Sequence, residues 1–376
     1  MGCSTGALGL AAADRALTGG ELTDRDLAMA WVDPANQSSG SFSEQLRIVG
    51  VLPDGSTVYV RAAVTNVATR NGRLDVLTKI ELADGREIRV RPRADRGDWD
   101  YGEDRFDLTI AETRIQVGIG EARVTSAGPG FTVELEVKGA ARSVRPAGGR
   151  FERGGAYYLT TLPIPYGTLT GTLTLFPEAP EGPEAAEGED PETPASPVAA
   201  APEVIELTGV AFVEHRATNL APHRMARRWF KVTHVTPEET IVLSAFERTA
   251  ELGGGIQGWL LVAGPDGIAA WEPDLTFRPR GARRDEESGY QVPQVLLMSR
   301  DEGRAFRGVI RLRELTERKD DLGGLSRVER AVVRRLMKPY TFRYDDADYL
   351  FRQGAAGGPH HELRGKLPYE YQQLNE

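Results

Sequence analysis

The sequence predicts an all-β protein made of two consecutive antiparallel β-barrels with little helix. Three observations carry this: short runs of alternating polarity through both halves, glycine-bearing turn dipeptides between them, and a single stretch with the spacing and ends of a helix. Side chains alternate faces along a strand, so a run with every second residue apolar has one oily face and one wet one. A meander of such hairpins must curl shut or stack to hide its edges.

In the first half the runs are "STVYVRAAVTNVA" (Ser56–Ala68), "LDVLTKIEL" (Leu74–Leu82), "REIRVRPR" (Arg86–Arg93), "RFDLTIAETRIQVGIG" (Arg105–Gly120) and "FTVELEVKGA" (Phe131–Ala140). Asn71-Gly72 and Asp84-Gly85 between them are dipeptides that two-residue hairpins favour, because both positions tolerate positive φ. The texture returns from Val204 in seven further runs and ends with "RGKLPYEYQQL" (Arg364–Leu374). The stretch "LSRVERAVVRRLMKPY" predicts a helix, with Ser326 as N-cap, Glu329 completing a capping box and Pro339 as the stop. Its basic face reads either as a surface helix or as a contact for acidic lipid headgroups.

The chain has 376 residues and a formal charge of −9, with 40% hydrophobic and 27% charged residues. This is a composition that buries a core. Seven carboxylates and no base lie within Pro177–Pro202, so the remainder carries −9 + 7 = −2. That balance excludes the basic field a nucleic-acid binder needs. The acidic, proline-rich segment cannot bury enough apolar surface to fold. Good strand patterns flank it on both sides, so it reads as an insertion in a hairpin loop. The expected organisation is a tail over 1–35, a first barrel over 36–215 containing the insertion at 177–202, and a second over 216–376.

Cys3 is the only cysteine. It excludes an internal disulfide or a multi-cysteine metal site. Its setting, "MGCSTGALGL", resembles the end of a bacterial lipoprotein signal. A lipidated Cys3 would make the chain a membrane-anchored periplasmic lipoprotein; otherwise it would be soluble and peripherally associated. No apolar run is long enough for a spanning helix. His360-His361-Glu362 and "YDDADY" (Tyr344–Tyr349) lack the spacing of a metal site, and the second reads as a solvated loop. Neither a metal nor a cofactor is expected.

The chemistry concentrates in "GVAFVEHRATNLAPHRMARRWFK" (Gly209–Lys231). Counting in twos from Val204 puts Ile205, Leu207, Gly209, Ala211, Val213 and His215 on one face, directed into a barrel. Glu214 falls on the other. His215 then reads either as a structural imidazole with a hydrogen-bond partner or as an acid–base or polar anchor at the mouth of an apolar pocket. Arg228 and Trp229 serve either reading, as a junction contact or as a clamp on a ligand's polar end.

"TGTLTL…ELTGVAFVEHRATNLAPHRMARRW", together with "GVLPDGSTVYVRAAVTNV", "DWDYGEDRFDLTIAETRI" and "GKLPYEYQQL", is similar to a superfamily of tandem lipocalin-like domains. Its members include survival-factor, AttH-like and carotenoid-hydratase proteins and fungal pericyclases. "SFSEQLRIVG" stands where the attachment-type and hydratase branches carry Glu-Trp-Trp-Tyr, which moves the resemblance toward the survival-factor branch. The resemblance implies a carrier of a hydrophobic, sphingolipid- or isoprenoid-like ligand and carries over His215, with Arg228 and Trp229 on the matching second strand; Trp259 and Trp271 are expected to line the walls with Trp229. A membrane surface and a membrane transporter are expected as further partners. The alternative is a hydratase or cyclase on an isoprenoid or polyene, with Glu214 and His215 as its acid–base pair.

Overall fold

A computed structural model describes residues 22–66, 71–146, 149–177, 201–273, 275–300, 305–323, 327–334, 337–354 and 360–374. Two large antiparallel sheets account for most of them, each curled on itself. In the first, neighbouring strands run Glu87–Val90, Arg73–Glu81, Thr57–Thr65, Ser43–Val51, Glu203–Thr218, Ala156–Leu175, Phe131–Gly139, Glu121–Gly128, Thr113–Gly118, Phe106–Ile110 and Asp100–Tyr101. The unit's last strand, Glu203–Thr218, therefore lies beside its first, Ser43–Val51, and the sheet curls until Glu87–Val90 meets Glu121–Gly128.

The second sheet repeats the plan. Its first strand, Ala226–Val235, pairs with its last, His360–Gln373, while Ile256–Gly264 approaches Thr276–Arg280. The chain thus forms two consecutive lipocalin-like β units, as the alternating runs predict. Among the described residues no helix is long and apolar enough to cross a membrane.

Parity accounts for both interiors. Ser43–Val51 alternates half-buried and buried positions along its length, and Leu46 and Ile48 join Val60, Leu74, Val76 and Val213 in the first core. The second core is richer in aromatics, with Phe230, Phe342, Tyr344, Phe351, Tyr369 and Tyr371 packed among aliphatics. Residues grouped with the tail by sequence also enter the first core. Leu27, Met29 and Trp31 are buried, Met29 and Trp31 within that core, and the Trp31 ring lies 5.7 Å from Phe42 and 5.9 Å from Trp99. Gly72, at φ 69°, has no room for a Cβ because Trp31 would stand 2.7 Å from it.

The structure departs from two expectations. The run Arg105–Gly120 is two strands, Phe106–Ile110 and Thr113–Gly118, folded back at Ala111, a non-glycine residue with φ 45°. "YDDADY" is no loop: it lies inside the 15-residue strand Tyr340–Gly354. A register shift between Tyr344 and Ala347 leaves Asp345 and Asp346 both exposed, and this bulge breaks the alternation that would reveal the strand. A helix spans Arg327–Val333, but Ser326, its expected cap, lies outside the described residues.

Ala156–Leu175 and Glu203–Thr218 pair from Leu175↔Glu203 to Tyr158↔Thr218. The acidic segment between them is therefore inserted in a hairpin, although its residues 178–200 are not described. Cys3 also falls outside the described residues.

Close approach of Glu203–Thr218 to its neighbour depends on Gly209, where a Cβ would stand 2.3 Å from the Val51 carbonyl oxygen. Gly209→Ala is expected to destabilise the protein by about 1–3 kcal/mol, as overpacking does, measured by urea unfolding. A value near zero would show that the strands can separate there without cost.

Candidate functional site

The strand Glu203–Thr218 is buried on both faces from Ala211 to His215. Its inward face lies in the first core, and its outward face is covered by the second barrel. This explains why acid, imidazole and guanidinium follow one another at the end of an apolar run: alternate residues serve two different interiors.

His215 faces inward, as parity predicts, and is 3% exposed. Its Nε2 lies 2.7 Å from Glu44 Oε1, and Phe106 packs edge-on against the ring at 5.4 Å. Glu44 is buried as well and accepts hydrogen bonds from the Ala30 and Trp31 backbone N–H groups at 2.8 and 3.0 Å. One carboxylate therefore ties the N-terminal segment, the first strand and the last strand of the unit together. This is the structural role open to His215 from sequence, with Glu44 as the partner that sequence leaves unnamed. Glu44→Ala removes the acceptor of two buried N–H groups and the partner of the imidazole. At about 1–3 kcal/mol for each unsatisfied group, a loss of several kcal/mol is expected in urea unfolding.

Glu214 faces the second barrel and is 2% exposed. Its carboxylate accepts from Arg47 Nη2 at 2.8 Å and from Arg216 Nη2 at 2.6–2.7 Å. Arg47 also donates to Thr233 Oγ1 of the second barrel at 2.9 Å. Arg216 lies 5.8 Å from the centre of the Trp229 ring and the Lys231 ammonium 4.5 Å from it, both within cation–π range. Lys231 pairs with Glu370 at 3.2 Å. Tyr158 and Phe246 close the aromatic side, each 5.5–5.8 Å from Trp229, whose indole N–H donates to Ser244 Oγ at 3.1 Å.

Burial alone would raise the Glu214 pKa, but Arg216 and Arg47 outweigh it and hold the carboxyl below its ordinary value. Burial lowers the Lys231 pKa against the opposing pull of Glu370. Lys231 and Arg343 overcome the burial of Glu370 and lower its pKa to about 2. This favours the ionised form of Glu214, which suits a charge partner better than the proton-donor role that the sequence alternative offers it. The group at the junction that holds its proton less tightly than usual is Lys231, which sequence reasoning passed over. Its position two residues after Trp229 on a strand, hence on the same face, was the available signal.

The structure separates Arg228 from His215. Arg228 shares the inward face of Phe230 and Val232, bonding Glu247 and interacting with Tyr371 at the end of the second barrel, whereas His215 lies inside the first. The two cannot meet one ligand head. The three tryptophans do face the junction. Trp229 packs with Tyr158 and Phe246, while Trp259 and Trp271, 5.9 Å apart, pack with Tyr166, Leu162 and Phe212 of the first unit. They line the seam between the units, outside either barrel's interior. Among the described residues no group of three His, Cys, Asp or Glu is placed to hold a metal ion.

Depressed carboxylates stabilise the fold above their unfolded pKa, and that contribution is lost as pH falls through the folded one. For Glu370 the window runs from 4.5 down to about 2. Stability is expected to fall through this range, with a shallower fall in Glu370→Gln, measured by urea unfolding at stepped pH. Parallel profiles for the two proteins would contradict the assignment.

No protein-family model and no curated protein matches this sequence. Solved structures do match it in shape. CghA aligns with a TM-score of 0.56 at 10% identity, covering 96% of this chain and 94% of its own, and CghA with Sch210972 aligns at 0.52 and 11%, covering 90% and 89%. An AttH-like protein from Nitrosomonas europaea reaches 0.48 at 13% identity, covering 88% of this chain and 92% of its own. Kievitone hydratase from Nectria haematococca reaches 0.47 at 12%, covering 94% and 97%. The chain shares with CghA, over nearly the whole of both chains, the fold of two consecutive lipocalin-like barrels.

Proposed function

We propose that the protein binds an apolar small molecule along the seam between its barrels and promotes water addition to, or cyclisation of, that molecule. The observation that carries this reading is the placement of Lys231 against the Trp229 ring, amid Glu214, Arg216 and Glu370. Trp229, Tyr158 and Phe246 supply an apolar aromatic wall. Beside it stand cations whose partners stay ionised, which suits a substrate whose carbonyl or other oxygen gains negative charge as the reaction proceeds. Lys231 is the proton carrier, and Arg47 and Arg216 stabilise the developing charge. A polyene or isoprenoid bearing such an oxygen fits the wall and the charges together. The likeness to CghA, a protein solved with the compound Sch210972, supports a small molecule as the partner.

Carriage of a lipid inside a barrel has less support. Trp31 and Met29 lie within the first core, and His215, the expected anchor, is committed to Glu44.

The test is incubation with a panel of polyene and prenylated carbonyl compounds, followed by mass spectrometry. Turnover would show as a gain of one water or as an isomer of unchanged mass. Lys231→Met is expected to lose at least about 100-fold of that rate, the lower range of general acid–base catalysis, while His215→Ala loses stability and keeps its rate per folded molecule. Conversion undiminished in Lys231→Met would contradict the proposal.

A further inference from the structure

We propose that a carboxylate or phosphate group binds on the outer face of the first barrel, between Arg47 and Arg61 at the open edge of the seam. The site lies next to the seam described above, and this inference deepens that reading by giving the ligand an acidic group.

Register places the two arginines directly opposite each other on the neighbouring strands Ser43–Val51 and Thr57–Thr65. Both face outward, with side chains 21% and 28% exposed. Like charges directly opposite on adjacent strands repel and destabilise the sheet. The carboxylates nearby do not balance them. Glu214 is shared by Arg47 and Arg216. Asp75 is shared by Arg61 at 3.4 Å, Arg91 at 2.7 Å and Arg93 at 3.2 Å. Five guanidinium groups thus face two carboxylates on the first sheet's outer face, and Glu370 of the second barrel adds a third negative charge beside Arg47 and Arg216.

Two donors of this cluster are also unmet. The Nε–H groups of Arg61 and Arg216 are buried and reach no acceptor among the described residues. Buried donors without partners are costly, and guanidinium is the side chain whose fork matches carboxylate and phosphate oxygens. An anion lodged between Arg47 and Arg61 would relieve their repulsion and offer Arg61 an acceptor. If that anion is the head of an amphiphile, its apolar part can follow Val49 and Val51, which share the outer face of Arg47 and border the cluster of Trp259 and Trp271.

The experiment is calorimetric titration of the full chain with two probes, inorganic phosphate and sodium decanoate, at fixed ionic strength with chloride as the balancing anion. Both probes are expected to bind the wild type. Tighter decanoate binding identifies an amphiphile's head as the source, and tighter phosphate binding a free anion. Arg61→Gln should weaken both by about tenfold or more, as loss of a charge-assisted contact does. Asp75→Asn frees three arginines and should tighten both, an effect that a merely structural role for this cluster would not produce. Circular dichroism and Tm confirm that each variant is folded. Absence of binding to the wild type, equal binding by Arg61→Gln, or no tightening in Asp75→Asn would overturn the proposal. Because no turnover is measured, its failure leaves the proposed reaction standing, and failure of the reaction leaves this site standing.

Discussion

The carboxylate of Glu214 is the constraint on which the junction depends. It leaves the outer face of the first barrel, is 2% exposed and is shared by two guanidinium groups. A buried charge is tolerated only when paired and hydrogen-bonded, and removing one partner costs roughly 3–5 kcal/mol. The second barrel completes the arrangement. It covers the charges, accepts from Arg47 through Thr233, and sets Trp229 against Arg216. A polar seam of this kind fixes the angle and register of two units more narrowly than an oily one, because each charge has few positions in which it is satisfied.

On one side of that seam the contact is apolar. Val144, Leu162, Tyr166 and Phe212 of the first unit pack with Val235, Val242, Trp259 and Trp271 of the second, and the Tyr166 hydroxyl donates to the Pro237 carbonyl at 2.6 Å. On the other side it is polar: Arg47 of the first unit donates to Thr233 of the second, and Arg216 lies over the Trp229 ring. The ligand proposed above, with an oily body and a polar end, would match this division. The two barrels contribute their outer faces to it, while their interiors are occupied by their own side chains.

Much of this was legible in the chain. Alternation gave the β class and many of the strands, though Ser43–Val51, Glu121–Gly128 and Tyr340–Gly354 were not among its runs, and parity placed His215 inward and Glu214 outward on their shared strand. What stayed hidden has physical causes. Asp345 and Asp346 mask a strand because a bulge turns both outward. Arg228 was grouped with His215 through the resemblance of their two strands, yet each faces the interior of a different barrel. Glu44 is 171 residues from its histidine, and only the pairing of the unit's first and last strands brings them together. Lys231 looks like an ordinary surface lysine until its strand is covered from the outside by another domain.

Differential scanning calorimetry of Glu214→Gln at neutral pH tests the central claim most directly. If this carboxylate couples the barrels, the wild type unfolds in one cooperative transition. The variant then shows two, because Arg47 and Arg216 are left facing the second barrel without their shared partner. A variant that keeps a single transition at the wild-type Tm would show that apolar packing alone joins the units, and the account of the junction would fail.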